Sequence, residues 1–163
     1  MELLRDKMKK ESIGNIWRIL AAAALLSIAC GSGDAVADSI SVSGLPGSLI
    51  ISSATAGSDL APVTDATTTY DIDITSSTKK ITGELDTAMP THTSLNVTLA
   101  APAGATSNGQ VTLSVTAHDL VTGIAVGTSR SGLGISYEFT AGVHAGVVSA
   151  ESKTVTFTIS DNY

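Results

Sequence analysis

Cysteine is almost missing from this chain: Cys30 is the only one in 163 residues. A single thiol excludes an internal disulfide framework and any cysteine-rich zinc centre. Aromatic side chains are scarce, at 4%, and charged ones make up 15%. Basic residues are outnumbered, nine Lys and Arg against fifteen Asp and Glu, for a net charge of −6. That balance excludes nucleic acid as a partner, because phosphate binding needs a basic footprint. No apolar run is long enough to span a bilayer as a helix, which takes about 20 residues. Yet hydrophobic residues still account for 43% of the chain, which is too apolar for simple disorder and enough for one domain plus a targeting segment.

The N-terminal segment reads as that targeting segment. Arg5, Lys7, Lys9, Lys10 and Arg18 precede the apolar stretch from Ile19 to Ala29. A basic stretch followed by a short apolar run is the layout of a signal peptide. Ala35-Val36-Ala37 then supplies the small residues that a signal peptidase pocket accepts, which places the cut after Ala37. Met8-Lys9-Lys10 is itself a plausible signal-peptide start, so translation begins at Met1 or at Met8. Cys30, flanked by Ala29 and Gly31, opens a rival route in which the chain is cut before the cysteine and anchored by lipid. Ser27 stands where the lipoprotein box prefers Leu, which favours free secretion. Domains are therefore expected at 1–37, a helical signal segment, and 38–163, the mature fold.

Cleavage there leaves 126 residues, with Lys79, Lys80, Arg130 and Lys153 against eleven carboxylates, a net of −7. Trp17 and Cys30 go with the leader. A cysteine-free chain suits an oxidising destination.

What remains is dominated by alternation. Tyr70, Ile72 and Ile74 alternate with polar residues, as do Leu95, Val97 and Leu99. The pattern recurs at Val111, Leu113 and Val115, at Ile135, Tyr137 and Phe139, and at Val155, Phe157 and Ile159. A period of two buries one face of a strand and wets the other, as in antiparallel sheets with one solvated side. Threonine fills most wet positions, being β-branched and hydrophilic at once. Ile81 to Leu85 forms a further run, ended by Pro90. Ser107-Asn108-Gly109 reads as a hairpin turn, since Asn-Gly supplies the positive φ angles of a type I′ turn. Ser131-Gly132 reads as the opening of the Ile135 strand, and 52–69 as a long loop or ragged edge. Short strands at this spacing predict an all-β fold, a single antiparallel β-sandwich of immunoglobulin-like type with about seven to nine strands. The C-terminal run from Lys153 to Ile159 is expected to complete that sandwich within the same chain rather than pair with a neighbour.

Catalytic groupings are thin. Three histidines follow the leader, at 92, 118 and 144. His118-Asp119 is the one His–carboxylate neighbour pair, and a hydrolase would need a serine brought to it by the fold. No G-x-S-x-G elbow is present, so His118 reads as a turn residue at the end of the Val111 strand. Ser76-Ser77-Thr78-Lys79 matches S-x-x-K, but it sits between two strand runs, where positions i and i+3 point to opposite faces, and the S-D-N and K-T-G partners are missing. Asp59, Asp65, Asp71 and Asp73 are a loose acidic group with oxygens that calcium could use, though no 12-residue calcium loop frames them. Asn96-Val97-Thr98 has the form of a glycosylation acceptor. No catalytic, cofactor or metal-binding residue is assigned, and no cofactor is expected.

The stretches Ala56-Gly57-Ser58, Lys79 to Gly83, Met89-Pro90, Leu99 to Ser107, Asp119 to Ile124 and Ser152 to Ile159 together resemble a group of small, exported, threonine-rich bacterial β-proteins of uncharacterised function. A more distant resemblance, carried by the alternating Thr-rich C-terminal strand, is to pilus and spore-coat-type subunits, although the Cys pair usual in those has no counterpart after residue 37. The resemblance implies export and a sandwich fold and brings no activity. The expected role is a non-catalytic structural or surface protein, secreted or held in the cell envelope, with an envelope or surface protein as partner. The alternatives are a secreted module binding carbohydrate or calcium and a Ser/His hydrolase.

Overall fold

The computed structural model describes residues 37–52 and 60–163. The leader up to Val36, with Met8, Trp17 and Cys30, lies outside the described residues, as does Asp59. Within them the chain forms nine strands and no helix. These are β1 (Ser39–Ser43), β2 (Val63–Asp73), β3 (Lys79–Leu85), β4 (Thr93–Leu99), β5 (Thr106–Ser107), β6 (Val111–Thr112), β7 (His118–Ile124), β8 (Ser129–Ala141) and β9 (Val155–Asp161). They build two antiparallel sheets, ordered β1-β2-β8-β4-β6 and β5-β7-β3-β9. Among the described residues no helix is long and apolar enough to cross a membrane.

The alternating runs explain the packing. Tyr70, Ile72, Leu95, Val97, Leu99, Ile135, Tyr137 and Phe139 bury the inner face of the larger sheet. Ile81, Leu85, Leu120, Ile124, Val155 and Phe157 come from the smaller one, and together they form one core cluster. Ile74 and Leu49, just outside the strands, join it. Tyrosine enters this apolar layer at a cost unless its hydroxyl is bonded. Tyr70 solves this by donating to the Ala100 carbonyl, and burial pushes its phenol up to about 12. Burial likewise raises Tyr137, helped by the negative charge of Asp65.

From β2 onward every connection carries the chain from one sheet to the other. In a constant-type immunoglobulin domain the fifth strand lies between the second and the fourth. Here β8 occupies that place. The Asn108-Gly109 turn departs from expectation for the same reason. Gly109 does take a positive φ of 70°, but the flanking strands belong to opposite sheets, β5 against β7 and β6 against β4. The turn is an arch across the edge of the sandwich, not a hairpin. Val111–Val115 is correspondingly short as a strand: β6 covers Val111 and Thr112, Leu113 still donates its N–H to the Leu95 carbonyl at 2.9 Å while its side chain enters the core, and Val115 stays exposed.

Two further expectations are corrected. Part of 52–69 is strand, because β2 starts at Val63; its pairing with β8 slips between Asp65 and Thr68, which hides the alternation. Ser131-Gly132 does not open β8, which is already under way at Ser129. Tyr70 faces Leu133 and Ile72 faces Arg130, so Ser131 and Gly132 together oppose Asp71. The extra residue is a bulge: Gly132 adopts a φ of 70°, and its N–H donates to the Asp71 carboxylate at 2.7 Å.

Candidate functional site

His118 opens β7 instead of ending the Val111 strand. The chain between Leu113 and His118 doubles back tightly, and the Ser114 hydroxyl reaches His118 Nε2 at 2.9 Å. A serine–imidazole contact is the first element of an acyl-transfer site. The remaining elements are arranged otherwise. The Ser114 hydroxyl is held inside its own turn, accepting from the Thr116 N–H at 3.1 Å and lying 3.2 Å from the Thr116 carbonyl. Asp119, next in sequence to the histidine, takes Lys80 instead, at 3.0 Å across the β3–β7 pair. Adjacent residues of a strand face opposite ways, so the carboxylate that sequence places beside the imidazole is directed away from it. Among the described residues no hydrogen bond reaches the other ring nitrogen.

The S-x-x-K segment lies between β2 and the start of β3, as expected, but Ser76 and Lys79 do not point apart. Ser76 lies in the turn before β3, where alternation does not hold, and both it and Lys79 converge on Asp38. Asp38 immediately precedes β1. Its carboxylate accepts from the Thr75 N–H at 2.7 Å and the Ser76 N–H at 3.1 Å, from the Ser76 hydroxyl, and lies 3.2 Å from the Lys79 ammonium. Lys79 also meets Asp161, the last residue of β9, at 2.7 Å, and Asp161 accepts from Ser77. One ammonium thus joins the edge strand of the larger sheet to the edge strand of the smaller. Burial acts to raise the Asp38 carboxyl, but the Ser76 hydroxyl, the Thr75 N–H and Lys79 outweigh it and hold the group far below the usual carboxylate range. The bond from Lys79, then that from Ser77, lowers Asp161; Asp161 in turn raises Lys79, with Asp38 adding to it. Sequence reasoning missed Asp38 and Asp161, which stand 41 and 82 residues from Lys79.

Asp65, Asp71 and Asp73, the described members of the acidic group, do not converge on one point. Asp65 caps a local turn, accepting from the Thr67 N–H at 2.9 Å and from the Gly47 N–H at 3.0 Å; these donors lower its carboxyl against the opposing effect of burial. Asp71 serves the β8 bulge. Among the described residues no set of three or more His, Cys, Asp or Glu side chains could share a metal ion. Asp71 and Asp73 do line a shallow depression of about 240 Å³ on the outer face of β1, β2 and β8, with Ser39, Ser41, Ser129, Arg130 and Ser131. Arg130 stands out there. Lys79, Lys80 and Lys153 each pair with a carboxylate, whereas Arg130 meets none among the described residues.

Asn96 is 9% exposed, donates to Glu138 at 3.1 Å and accepts from Thr112 at 2.7 Å across β8, β4 and β6. A glycan cannot be attached to that amide in the folded chain. Lys153, also buried, spends its donors on Glu151, Thr87 and the Ala88 carbonyl at 2.8, 3.0 and 2.8 Å. His92 and His144 lie together at the end of the β4–β8 ladder, far along the sequence from His118.

Comparison with protein-family models, with curated proteins and with solved structures finds no match for this chain.

Proposed function

We propose that the protein is an exported, non-catalytic β-sandwich with a structural or surface role in a bacterial cell envelope or outside the cell, its partner an envelope or surface protein. The observation that carries this reading is where the chemically capable side chains have gone. The Ser114 hydroxyl is tied into its turn, Asp119 is drawn to Lys80, and Lys79 bridges two edge strands. Groups that a hydrolase would keep free are used to hold loops and sheets. The leader at 1–37 and the resemblance to small exported threonine-rich β-proteins support the same reading. Asp38 fits it as well: the residue that would become the new N-terminus is fastened to Thr75 and Lys79. For the winding, the continual crossing between sheets favours a jelly-roll arrangement over the immunoglobulin-like one.

Cell fractionation with intact-mass measurement tests the export reading. A soluble exported form starting at Asp38 is expected. A diacylglyceryl group on Cys30 would move the protein to the lipid-anchored alternative, and an uncut cytoplasmic chain would overturn export. Ala37→Phe should block the cut, because the peptidase pocket takes only small residues.

A second reading is favoured by one observation, the depression on β1, β2 and β8. Arg130, whose guanidinium donates to the Ser129 carbonyl and meets no carboxylate among the described residues, joins two carboxylates and four serine hydroxyls in offering donors and acceptors to a polyhydroxylated ligand such as a carbohydrate. A glycan array probed with the wild-type protein and Arg130→Ala checks it: binding lost in the variant would support a ligand-binding module over a purely structural one.

A further inference from the structure

The last rung of the β4–β8 ladder pairs Thr93 with Ala141. The segments just beyond it therefore leave the sheet side by side, and each carries a histidine. The Gly142 N–H donates to the His92 carbonyl at 2.8 Å, which fastens the two segments together. His92 is set in a turn closed by Thr93, whose N–H and hydroxyl both bond the Pro90 carbonyl, at 3.0 and 2.7 Å. A second turn, from the Ala145 N–H to the Gly142 carbonyl at 2.9 Å, presents His144. The two imidazole centres lie 5.9 Å apart with their planes inclined at 58°.

Three features of this pair go together. His92 has a φ of 64°, and among the described residues it is the only non-glycine in the left-handed region. Keeping an L-residue there costs on the order of 1 kcal/mol, and such strain collects at ligand-holding sites. Both side chains are exposed. Among the described residues neither ring makes a hydrogen bond, so the backbone is fixed while the ring nitrogens remain available as lone-pair donors. Two imidazoles bound to one zinc at about 2.0–2.1 Å have ring centres roughly 5 Å apart. Rotation of two exposed side chains covers the difference.

We propose that His92 and His144 form a two-histidine binding site for a divalent transition-metal ion of the zinc, nickel and copper class, with water completing the coordination. Imidazole suits these ions, whereas calcium and magnesium require oxygen ligands. No third His, Cys, Asp or Glu among the described residues joins the pair, so affinity is modest and one side of the ion stays open. The site is independent of the export and structural reading above. The ion would also cross-link the loop before β4 to the loop after β8.

The test is Zn²⁺ titration of untagged, chelator-treated protein at neutral pH, followed by calorimetry and by histidine ring signals in NMR. Expected is one ion per chain, with the ring signals of His92 and His144 moving and those of His118 still. His144→Ala should weaken binding by at least the roughly tenfold that even an outer partner of a metal is worth. His92→Gly keeps the turn, because glycine takes a positive φ without strain. It should lose binding to the same degree while leaving the thermal midpoint unchanged or higher. His118→Ala should bind as wild type, and Mg²⁺ should leave the ring signals in place. Wild-type affinity in His92→Gly or His144→Ala, or Zn²⁺ shifts confined to His118, would overturn the proposal.

Discussion

The two open sides of the sandwich are closed by different means. On one side the edges are β1 and β9, five and seven residues long. They are held together by the Asp38–Lys79–Asp161 ion triplet, which crosses from one sheet to the other. On the other side the edges are β5 and β6, only two residues each. Hydrogen bonds without a cation hold that side: Ser107 donates to the Leu99 carbonyl at 2.6 Å, Asn108 to the Asp119 carbonyl at 2.9 Å and Gln110 to the Glu138 carboxylate at 2.6 Å. Unpaired strand edges invite intermolecular pairing, and proteins blunt them by shortening them or by adding charge. This molecule does one on each side. It follows that acid should loosen the β1/β9 side first, and that loss of a strand should matter most there.

Removing β9 makes the largest break. Truncation after Glu151 deletes Val155 and Phe157 from the core, together with Ile159, which packs against it, and Lys153. At roughly 1.5–3 kcal/mol for each fully buried side chain, the loss rivals the stability of a small domain. The shortened chain should show no cooperative unfolding transition by circular dichroism. A folded monomer would mean instead that β9 serves an assembly interface, and the pilus-like resemblance would gain weight.

Gly83→Ala probes the packing of β3 against β7, away from the Asp38–Lys79–Asp161 triplet. A Cβ there would stand 2.7 Å from Leu120 and 3.4 Å from Leu113, both buried. Overpacking of that kind costs about 1–3 kcal/mol, readable in urea denaturation.

Asp38→Asn sharpens the contrast between the sides through pH. The Asp38 and Asp161 carboxyls are lowered in the folded chain. Their stabilisation is complete above the ordinary aspartate value of about 3.9 and is lost as pH falls through their folded values. Lys79 is raised, so its share is present below the ordinary lysine value of about 10.4 and is lost as pH rises through the folded one. The wild-type urea midpoint should drop steeply below about pH 4, whereas Asp38→Asn should start lower at neutral pH and fall less. An equal acid slope in both proteins would place the acid-sensitive contacts elsewhere.

The smallest expected effect is a gain. The Thr68 hydroxyl is buried without a hydrogen-bond partner where β2 slips against β8. Thr68→Val replaces it with an isosteric apolar group and should be neutral or stabilising by up to about 1 kcal/mol, seen as an unchanged or raised thermal midpoint.

Much of the fold could be read from alternation, and the reasons for the rest are specific. Tyr70–Ile74, Leu95–Leu99, Ile135–Phe139 and Val155–Ile159 each bury one face because one inner face is all they have to cover. The start of β2 escaped because its register breaks within a run of threonines, and β7 because Leu120 and Val121, adjacent in sequence, are both buried at a register irregularity. Asn108-Gly109 announces a turn but not which sheets it joins. The candidate sites were harder still. The contact of Ser114 with His118 spans four residues, yet it depends on a local turn that no motif encodes. The partners of Lys79 lie just before β1 and at the end of β9, which only the sheet order brings together.

The structural reading stands or falls on whether Ser114 is a nucleophile. Incubating the exported protein with a fluorophosphonate and measuring its intact mass, with peptide mapping, answers this directly. No adduct should form on Ser114, since its hydroxyl is engaged in its own turn and Asp119 is bonded to Lys80 rather than to His118. A stoichiometric adduct on Ser114 that disappears in His118→Ala would contradict the non-catalytic account and identify a serine hydrolase.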